Sequence, residues 1–381
     1  MAGAEVDQRR DLLLHLYRAA LSAVDGRLRV RAALATDRDE RPLRVLAVGK
    51  AASAMALGAL DALGARIQSG LVIAPRDGID HELSALPQFR CVAGDHPIPA
   101  EHSLAAGTAA LAFAAATPAG SRVLLLVSGG ASSLLEVLAP GVTLEKLQRL
   151  NEWAQAEAVD ILALNARRAS LSLVKAGRLP GLFKACAVEG MMISDVPGDD
   201  PAAVGSGLLA GVDKVVLVGC IDDALEAALR AARERGLDAE RAAKRLAGEA
   251  AAAARNVCHE FAVTDRGLGL WGGETVVKLP ARPGRGGRCQ HFALSAAQQI
   301  AGHPELMILA AGTDGRDGAS DDAGAIVDGE TIVRARAAGL DASACLEAAD
   351  SGSLLEATGD LVYTGPTGTN VGDLVMALRL R

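Results

Sequence analysis

A chain of 381 residues is long for one hydrophobic core, so two domains are expected, and with half its residues hydrophobic but only 2% aromatic it must pack through alanine and aliphatic side chains. A net charge of −7, a pI near 5.6 and the absence of any basic block argue against nucleic acid as the main partner. A small anionic ligand stays open, because a few well-placed arginines suffice to bind one.

Residues 7–24 alternate leucines and charges at helical spacing and predict an amphipathic helix, followed by a charged, irregular stretch to about 42. Short apolar runs then alternate with helix-like segments. "LRVLAV" (43–48) precedes "KAASAMALGALDAL", "GLVIAP" (70–75) follows, and "RCVAG" (90–94) precedes "EHSLAAGTAALAFAAA". "RVLLLV" (122–127), "KACAVEGMMI" (184–193) and "KVVLVGC" (214–220) continue the series. Buried strands alternating with helices read as a parallel sheet covered on both faces, so the first two-thirds is an α/β domain. "LNARRASLSLVKAG" (164–177) sets Arg168 and Lys175 seven apart on one face of a helix. The alanine-rich segment around 236–257 reads as a long helix, and "TVVKLP" (275–280), "LMILAA" (306–311) and "DLVYTG" (360–365) as strands of a second α/β unit. The boundary is placed near 240.

The six cysteines (91, 186, 220, 258, 289, 345) show neither C-x-x-C nor a pairable spacing, which predicts a reduced cytoplasmic setting. The N-terminal segment starts with charges in place of a signal-peptide core, and no 18-residue apolar run occurs, so no membrane partner is expected. The seven histidines lack H-E-x-x-H or any other helical metal spacing. P-loop, dinucleotide-binding and nucleophile-elbow motifs are likewise absent.

Four strand ends carry glycine and polar residues: Gly49-Lys50, Ser128-Gly129-Gly130-Ala131-Ser132-Ser133, Ser194-Asp195 and Gly312-Thr313-Asp314-Gly315. Ligands of open parallel sheets bind outside the carboxyl ends of strands, where glycines let the backbone approach an anion. Each loop alone is explained by ordinary turn chemistry; four together point to a site. "GTDGRDGASDDAGAIVDGE" (312–330) is open to three readings: a calcium loop, a surface turn or an active-site loop. Counted from Asp314, the ligand positions at 316 and 318 are arginine and glycine, which removes the calcium loop. "GRGGRCQHFAL" (284–294) sets Arg285 and Arg288 among glycines at a helix entrance, suited to a carboxylate or phosphate.

Taken in order, these loops resemble the class II glycerate kinases, whose C-terminal part is called the MOFRL domain. The matching segments are "VGKAASAM" (48–55), "GDHPIP" (94–99), "SGGASSLL" (128–135), "SDVPGDDPAAVGSG" (194–207) and "GGET" (272–275). "GRGGRCQ", "AAGTDGRDGASDDAGAIVDG" and "TGPTGTNVGDL" (364–374) complete the set. The resemblance implies ATP-dependent phosphorylation of D-glycerate at its 2-hydroxyl, giving 2-phosphoglycerate and ADP. It implies a Rossmann-like N-terminal domain (1–240) and a smaller MOFRL-type domain (241–381), both with largely parallel sheets, with the active site in the interdomain cleft. Lys50 and Arg288 match the family's proposed catalytic pair. The resemblance further implies Mg²⁺ at the nucleotide phosphates, with Asp195 and Asp314 as candidates to bind it or to accept the hydroxyl proton.

The remaining substrate- and phosphate-binding candidates are Ser128, Gly129, Gly130, Ser132, Ser133, Arg168, Lys175, Ser206, Thr313, Thr367, Thr369 and Asn370. A homodimer is compatible with this reading. The chain departs from the family at Cys289 and His291, where G-G-R-N-Q-E is expected, and at Ala169 and Ser170 of N-x-V-R-K-H-L. These changes keep another small hydroxy acid open as acceptor. A hydroxypyruvate reductase and a non-catalytic metabolite-binding paralogue are the further alternatives, the first disfavoured by the missing dinucleotide fingerprint.

Overall fold

The computed structural model describes residues 2–156 and 167–379. These form two compact units of discontinuous composition. One comprises Val24–Cys220 and Gly368–Val371; the other comprises Met1–Ala23, Ile221–Thr367 and Gly372–Arg381. The division thus falls at 220/221, whereas the sequence suggested 240, and the N-terminal helix belongs with the C-terminal part. No helix among the described residues is long and apolar enough to cross a membrane.

The first unit holds six strands, β1 (Leu43–Val48), β2 (Ile67–Pro75), β3 (Phe89–Gly94), β4 (Arg122–Val127), β5 (Ala187–Ile193) and β6 (Val215–Gly219). All pair in parallel in the order β3-β2-β1-β4-β5-β6. Each strand expected from an apolar run is present. β4 is buried along its whole length, as a central strand covered on both faces must be. Its Val123, Leu125 and Val127 share a core with Ala106, Ala109 and Ala110 of the helix Glu101–Ala115. At the amino ends of the strands the buried Arg122 is clamped by Asp37 at 2.6 Å and Glu189 at 2.7 Å, a structural network remote from the carboxyl ends.

The stretch expected to be irregular before residue 42 contains a helix, Gly26–Leu34. Asp25 caps it by accepting from the Leu28 amide at 2.8 Å. Its buried stripe, Gly26, Val30 and Leu34, has helical spacing that the interleaved arginines disguise.

The second unit is also α/β, but its sheet is mixed. The strands β7 (Ala239–Arg241), β8 (Leu268–Gly273), β9 (Leu306–Gly312), β10 (Gly324–Asp328), β11 (Leu361–Val362) and β12 (Asp373–Arg379) lie in the order β11-β10-β9-β12-β8-β7. Only β7 and β8 pair in parallel; every other neighbour is antiparallel. The run 275–280 makes one isolated bridge, at Val276, and leaves Val276 and Leu279 exposed, so it is not a strand. The long helix expected over 236–257 is also broken. Gly236 and Gly248 adopt left-handed conformations, β7 lies between them, and the helix Ala250–Ala262 starts only after Glu249, which caps Ala251 and Ala252 at 2.9 and 2.7 Å.

The N-terminal helix, Ala2–Ala23, packs on the helix Ile221–Glu234 and buries Leu13, Leu16, Tyr17 and Ala20 completely. That apolar stripe stabilises the second unit by several kcal/mol, at about 1.5–3 kcal/mol for each large side chain.

Candidate active site

In the first unit the strand order reverses between β1 and β4, and ligands of open parallel sheets bind outside the carboxyl ends at such a point. Gly49-Lys50 leaves β1 and Ser128-Gly129-Gly130 leaves β4. They are tied together by Lys50 N–H donating to Gly129 O (2.9 Å), Ser128 N–H to Val48 O (3.0 Å) and Ala51 N–H to Ser128 Oγ (3.0 Å). Gly49 has φ +133°, and a Cβ there would lie 2.2 Å from Ser128 Oγ, so only glycine permits this approach. A Cβ on Gly130 would meet Lys50 Cγ at 3.1 Å and His96 Cδ2 at 3.2 Å, which places both side chains over the loop.

Asp195, at the end of β5, accepts from Asn370 Nδ2 at 3.1 Å, and this pair abuts Gly129. A Cβ at Gly129 would sit 2.1 Å from both Asn370 Nδ2 and Asp195 Oδ2. Gly129→Ala is therefore expected to expel the pair, lowering turnover at least about tenfold while costing roughly 1–3 kcal/mol of stability. Steady-state kinetics beside thermal unfolding separates the two effects; wild-type turnover in this variant would remove Asp195 from the reaction.

The serines behind the loop face inward. Ser206 Oγ donates to Ser132 Oγ (2.8 Å), and Ser133 Oγ donates to Gly130 O (3.1 Å). Lys175 lies in a turn and not on a helical face shared with Arg168, because the helix at 167–171 ends first. Residues 164–166 of that expected helix fall outside the described residues. Lys175 is fully buried and donates from Nζ to Ser132 O (2.7 Å) and Leu135 O (2.8 Å), with Glu136 Oε2 at 3.8 Å. Burial lowers its pKa to about 8, against the opposing pull of Glu136. It shapes the loop from beneath. Arg168 donates to Asn151 Oδ1, and burial lowers its pKa to about 10, leaving it charged at neutral pH. Thr369 is buried, with its hydroxyl donating to Val24 O at 2.6 Å.

In the second unit Arg288 opens the helix Arg288–Gln299. Its Nε and Nη2 donate to Asp373 Oδ2 and Oδ1 at 2.7 and 3.0 Å, and Nη1 lies 2.5 Å from Glu274 Oε1. Burial works against the charge, but Asp373 and Glu274 more than compensate and raise the guanidinium pKa well above its usual value. Asp314 flanks the same strand end: a Cβ at Gly312 would lie 3.2 Å from Asp314 Oδ1 and 3.7 Å from Asp373 Oδ1. Asp314 Oδ1 accepts from the Arg316 amide at 3.1 Å. Thr313 Oγ1 donates to Gly372 O (2.7 Å) and Thr367 Oγ1 to Thr313 O (2.5 Å), so both hydroxyls brace the loop. Tyr17 reaches in from the N-terminal helix and donates to Gly312 O; burial first, then the charges of Cys289, Asp314 and Asp373, raise its pKa.

The aspartates of the 312–330 loop divide by role. Asp321 pairs with Arg316 at 2.9 Å and Asp322 with Arg285 at 2.9 Å. Asp317 is no solvated turn residue: it is buried and caps the Arg288 helix, accepting from the amides of Cys289 (3.0 Å) and Gln290 (2.7 Å). Burial pushes its pKa up to about 7 against those two amides and Arg288. From about pH 4 to 7 the folded chain therefore keeps a proton that the unfolded chain has released, and stability falls as pH rises through that window. The expected loss is on the order of a few kcal/mol. Asp317→Asn is expected to flatten this dependence in urea unfolding measured from pH 4 to 7; equal slopes in variant and wild type would refute it.

The residues missed from the sequence are Asp373, Glu274, Asp317, Tyr17 and His96. Asp373, Glu274, Asp317 and His96 sit inside quoted segments, and Asp373 carried a usable signal as a lone carboxylate ahead of the apolar run "LVMAL". Cys289 and His291 are both buried, and Cys289 belongs to the hydrophobic core. Burial raises the pKa of the thiol and lowers that of the imidazole, so neither is set up as a nucleophile or its base.

Residues 268–373 match the MOFRL family, and residues 12–217 match a family described only as a domain of unknown function, DUF4147. The D-glycerate 2-kinase of Thermotoga maritima is 33% identical over 88% of this chain and 90% of its own length. The chain belongs to the class II glycerate kinase (MOFRL) family. A solved glycerate kinase structure from Thermotoga maritima superposes with a TM-score of 0.84 at 30% identity, covering 98% of this chain and all of that one. A relative from Agrobacterium vitis, 32% identical over 96% of this chain and 93% of its own length, bears the provisional name hydroxypyruvate reductase. Family membership matches the segments read from the sequence, and the two family matches fall on the parts of the chain that carry Lys50 and Arg288 respectively.

Proposed function

We propose that this chain transfers the γ-phosphoryl group of ATP to the 2-hydroxyl of D-glycerate, giving 2-phosphoglycerate and ADP. The observation that carries the reading is a lysine at the reversal point of a parallel sheet, beside a glycine-serine loop, in a chain whose relatives include glycerate 2-kinases. Phosphoryl transfer asks a protein mainly to position reactants and neutralise charge. In this proposal Lys50 and Arg288 serve the transferring group. The backbone at Ser128-Gly129-Gly130, shaped from beneath by Lys175, holds an anionic end of a substrate, either the glycerate carboxylate or a nucleotide phosphate.

Among the described residues no group of three or more histidine, cysteine, aspartate or glutamate side chains is arranged to hold a metal ion. Mg²⁺ keeps waters and nucleotide phosphates as most of its ligands and needs only one or two carboxylates. In this proposal Asp195 or Asp314 would hold the ion or accept the hydroxyl proton. When bound, the ion neutralises charge between the β- and γ-phosphates.

The test is ATP-dependent phosphorylation across a panel of small hydroxy acids, with the product position read by phosphorus NMR. D-glycerate giving 2-phosphoglycerate is the expected result. Turnover confined to another acid would reassign the acceptor. ATP-independent oxidation of NADH by hydroxypyruvate, or ATP binding without any turnover, would overturn the kinase reading.

A further inference from the structure

Arg288 is held by two carboxylates of unlike kind. Asp373, at the start of β12, takes Nε and Nη2 in a paired fork, and its side chain is only 5% exposed. Glu274, directly after β8, makes a single contact to Nη1 through a side chain that is 50% exposed. Together they leave one excess negative charge around a residue read as phosphate-facing. An incoming phosphate would therefore meet repulsion unless one carboxylate withdrew.

We propose that Glu274 is a displaceable stand-in for the anionic ligand at Arg288, and that Asp373 is the positioning residue that keeps the guanidinium in place when Glu274 leaves. The inference rests on the assignment of Arg288 to phosphate. A carboxylate oxygen on Nη1 occupies a donor direction that a phosphate oxygen would use, and both are recognised by the same fork. The two partners differ in how readily they detach. A half-exposed single contact holds weakly, so its displacement lowers anion affinity by no more than about fivefold. A buried, doubly bonded carboxylate cannot leave without stranding an unpaired charge. The Glu274 amide donates to Leu246 O at 3.1 Å, so the backbone stays put and only the side chain needs to swing.

The deciding experiment measures inorganic pyrophosphate binding to the full chain by calorimetry at fixed ionic strength, for wild type, Glu274→Gln, Arg288→Ala and the double variant. Arg288→Ala is expected to weaken binding and Glu274→Gln to tighten it about two- to fivefold, with the gain vanishing in the double variant. No weakening in Arg288→Ala, no gain in Glu274→Gln, or a gain that survives without Arg288 would overturn the stand-in. For Asp373, kcat is expected to fall at least about tenfold in Asp373→Asn and to recover partly in Asp373→Glu, with no further loss when Asp373→Asn is added to Arg288→Ala. Wild-type kcat in Asp373→Asn would overturn its positioning role, and so would a further loss in the Arg288→Ala background. Product identity is scored separately: failure of wild type to make 2-phosphoglycerate retires the acceptor assignment, while pyrophosphate binding still decides the inference.

Discussion

Replacing Lys50 by alanine is expected to lower kcat by about 10²–10³-fold while lowering the melting temperature by only a few degrees. The reasoning is positional. Lys50 holds its loop through its backbone, since it is the amide that bonds Gly129 O, and an alanine keeps that bond. What is lost is one positive charge, with the contacts it makes, at the point where the sheet reverses and an anionic ligand is expected. A preorganised charge of this kind acts mainly on the transition state, so the loss belongs in kcat more than in KM. Steady-state kinetics with D-glycerate and ATP, beside a thermal melt, reads both parts. Near-normal turnover would remove Lys50 from the chemistry.

Lys175→Met is expected to do the reverse, destabilising the fold by about 3–5 kcal/mol, because removing one member of a buried ion pair leaves the other charge stranded. The stranded group is Glu136, of which only 1% of the surface is exposed and whose Oε2 has no hydrogen-bond partner among the described residues. The carbonyls of Ser132 and Leu135 also lose their donor, so residual activity of the folded fraction should show a raised KM from a misshapen loop. Adding Glu136→Gln is expected to restore part of the stability by removing the uncompensated charge. Urea unfolding of the single and double variants measures this. A loss under 1 kcal/mol in Lys175→Met would mean that the pair contributes little.

The two lysines show where sequence reasoning succeeds and where it stops. Both stand out in a chain with seven lysines among 39 basic residues, and both were singled out as candidates. Lys50 follows an apolar run directly, so its place at a strand end was readable. Lys175 looked equivalent on helical spacing from Arg168, but its burial depends on a turn that spacing does not encode. The strands of the first unit were legible for the same reason as Lys50: parallel strands buried on both faces are continuous apolar runs. The second sheet was not. β8 carries glycines at 269, 272 and 273, β10 is flanked by acidic turns, and β7 hides in an alanine-rich stretch that imitates a helix. β9 was recognised, and β11 lies inside the expected run 360–365, yet their antiparallel pairing is set by tertiary contacts alone. Arg288 could be chosen from its glycines and helix entrance, while its partner Asp373, 85 residues on, becomes visible only when β12 is laid beside β8 and β9.

The discontinuous path of the chain bears on biosynthesis. The helix Ala2–Ala23 is translated before Val24–Cys220, yet the helix Ile221–Glu234 on which it packs is made only after all of that unit's main segment. At about 5–20 residues per second the stripe of Leu13, Leu16, Tyr17 and Ala20 waits on the order of ten seconds or more without its partner. During that interval the first unit can fold nearly to completion, lacking only Gly368–Val371, while the nascent N-terminus presents an uncovered apolar surface to whatever shields emerging chains. Trimming those first residues would spare the growing chain that exposure, and would leave the finished second unit with the same surface bare on its helix Ile221–Glu234.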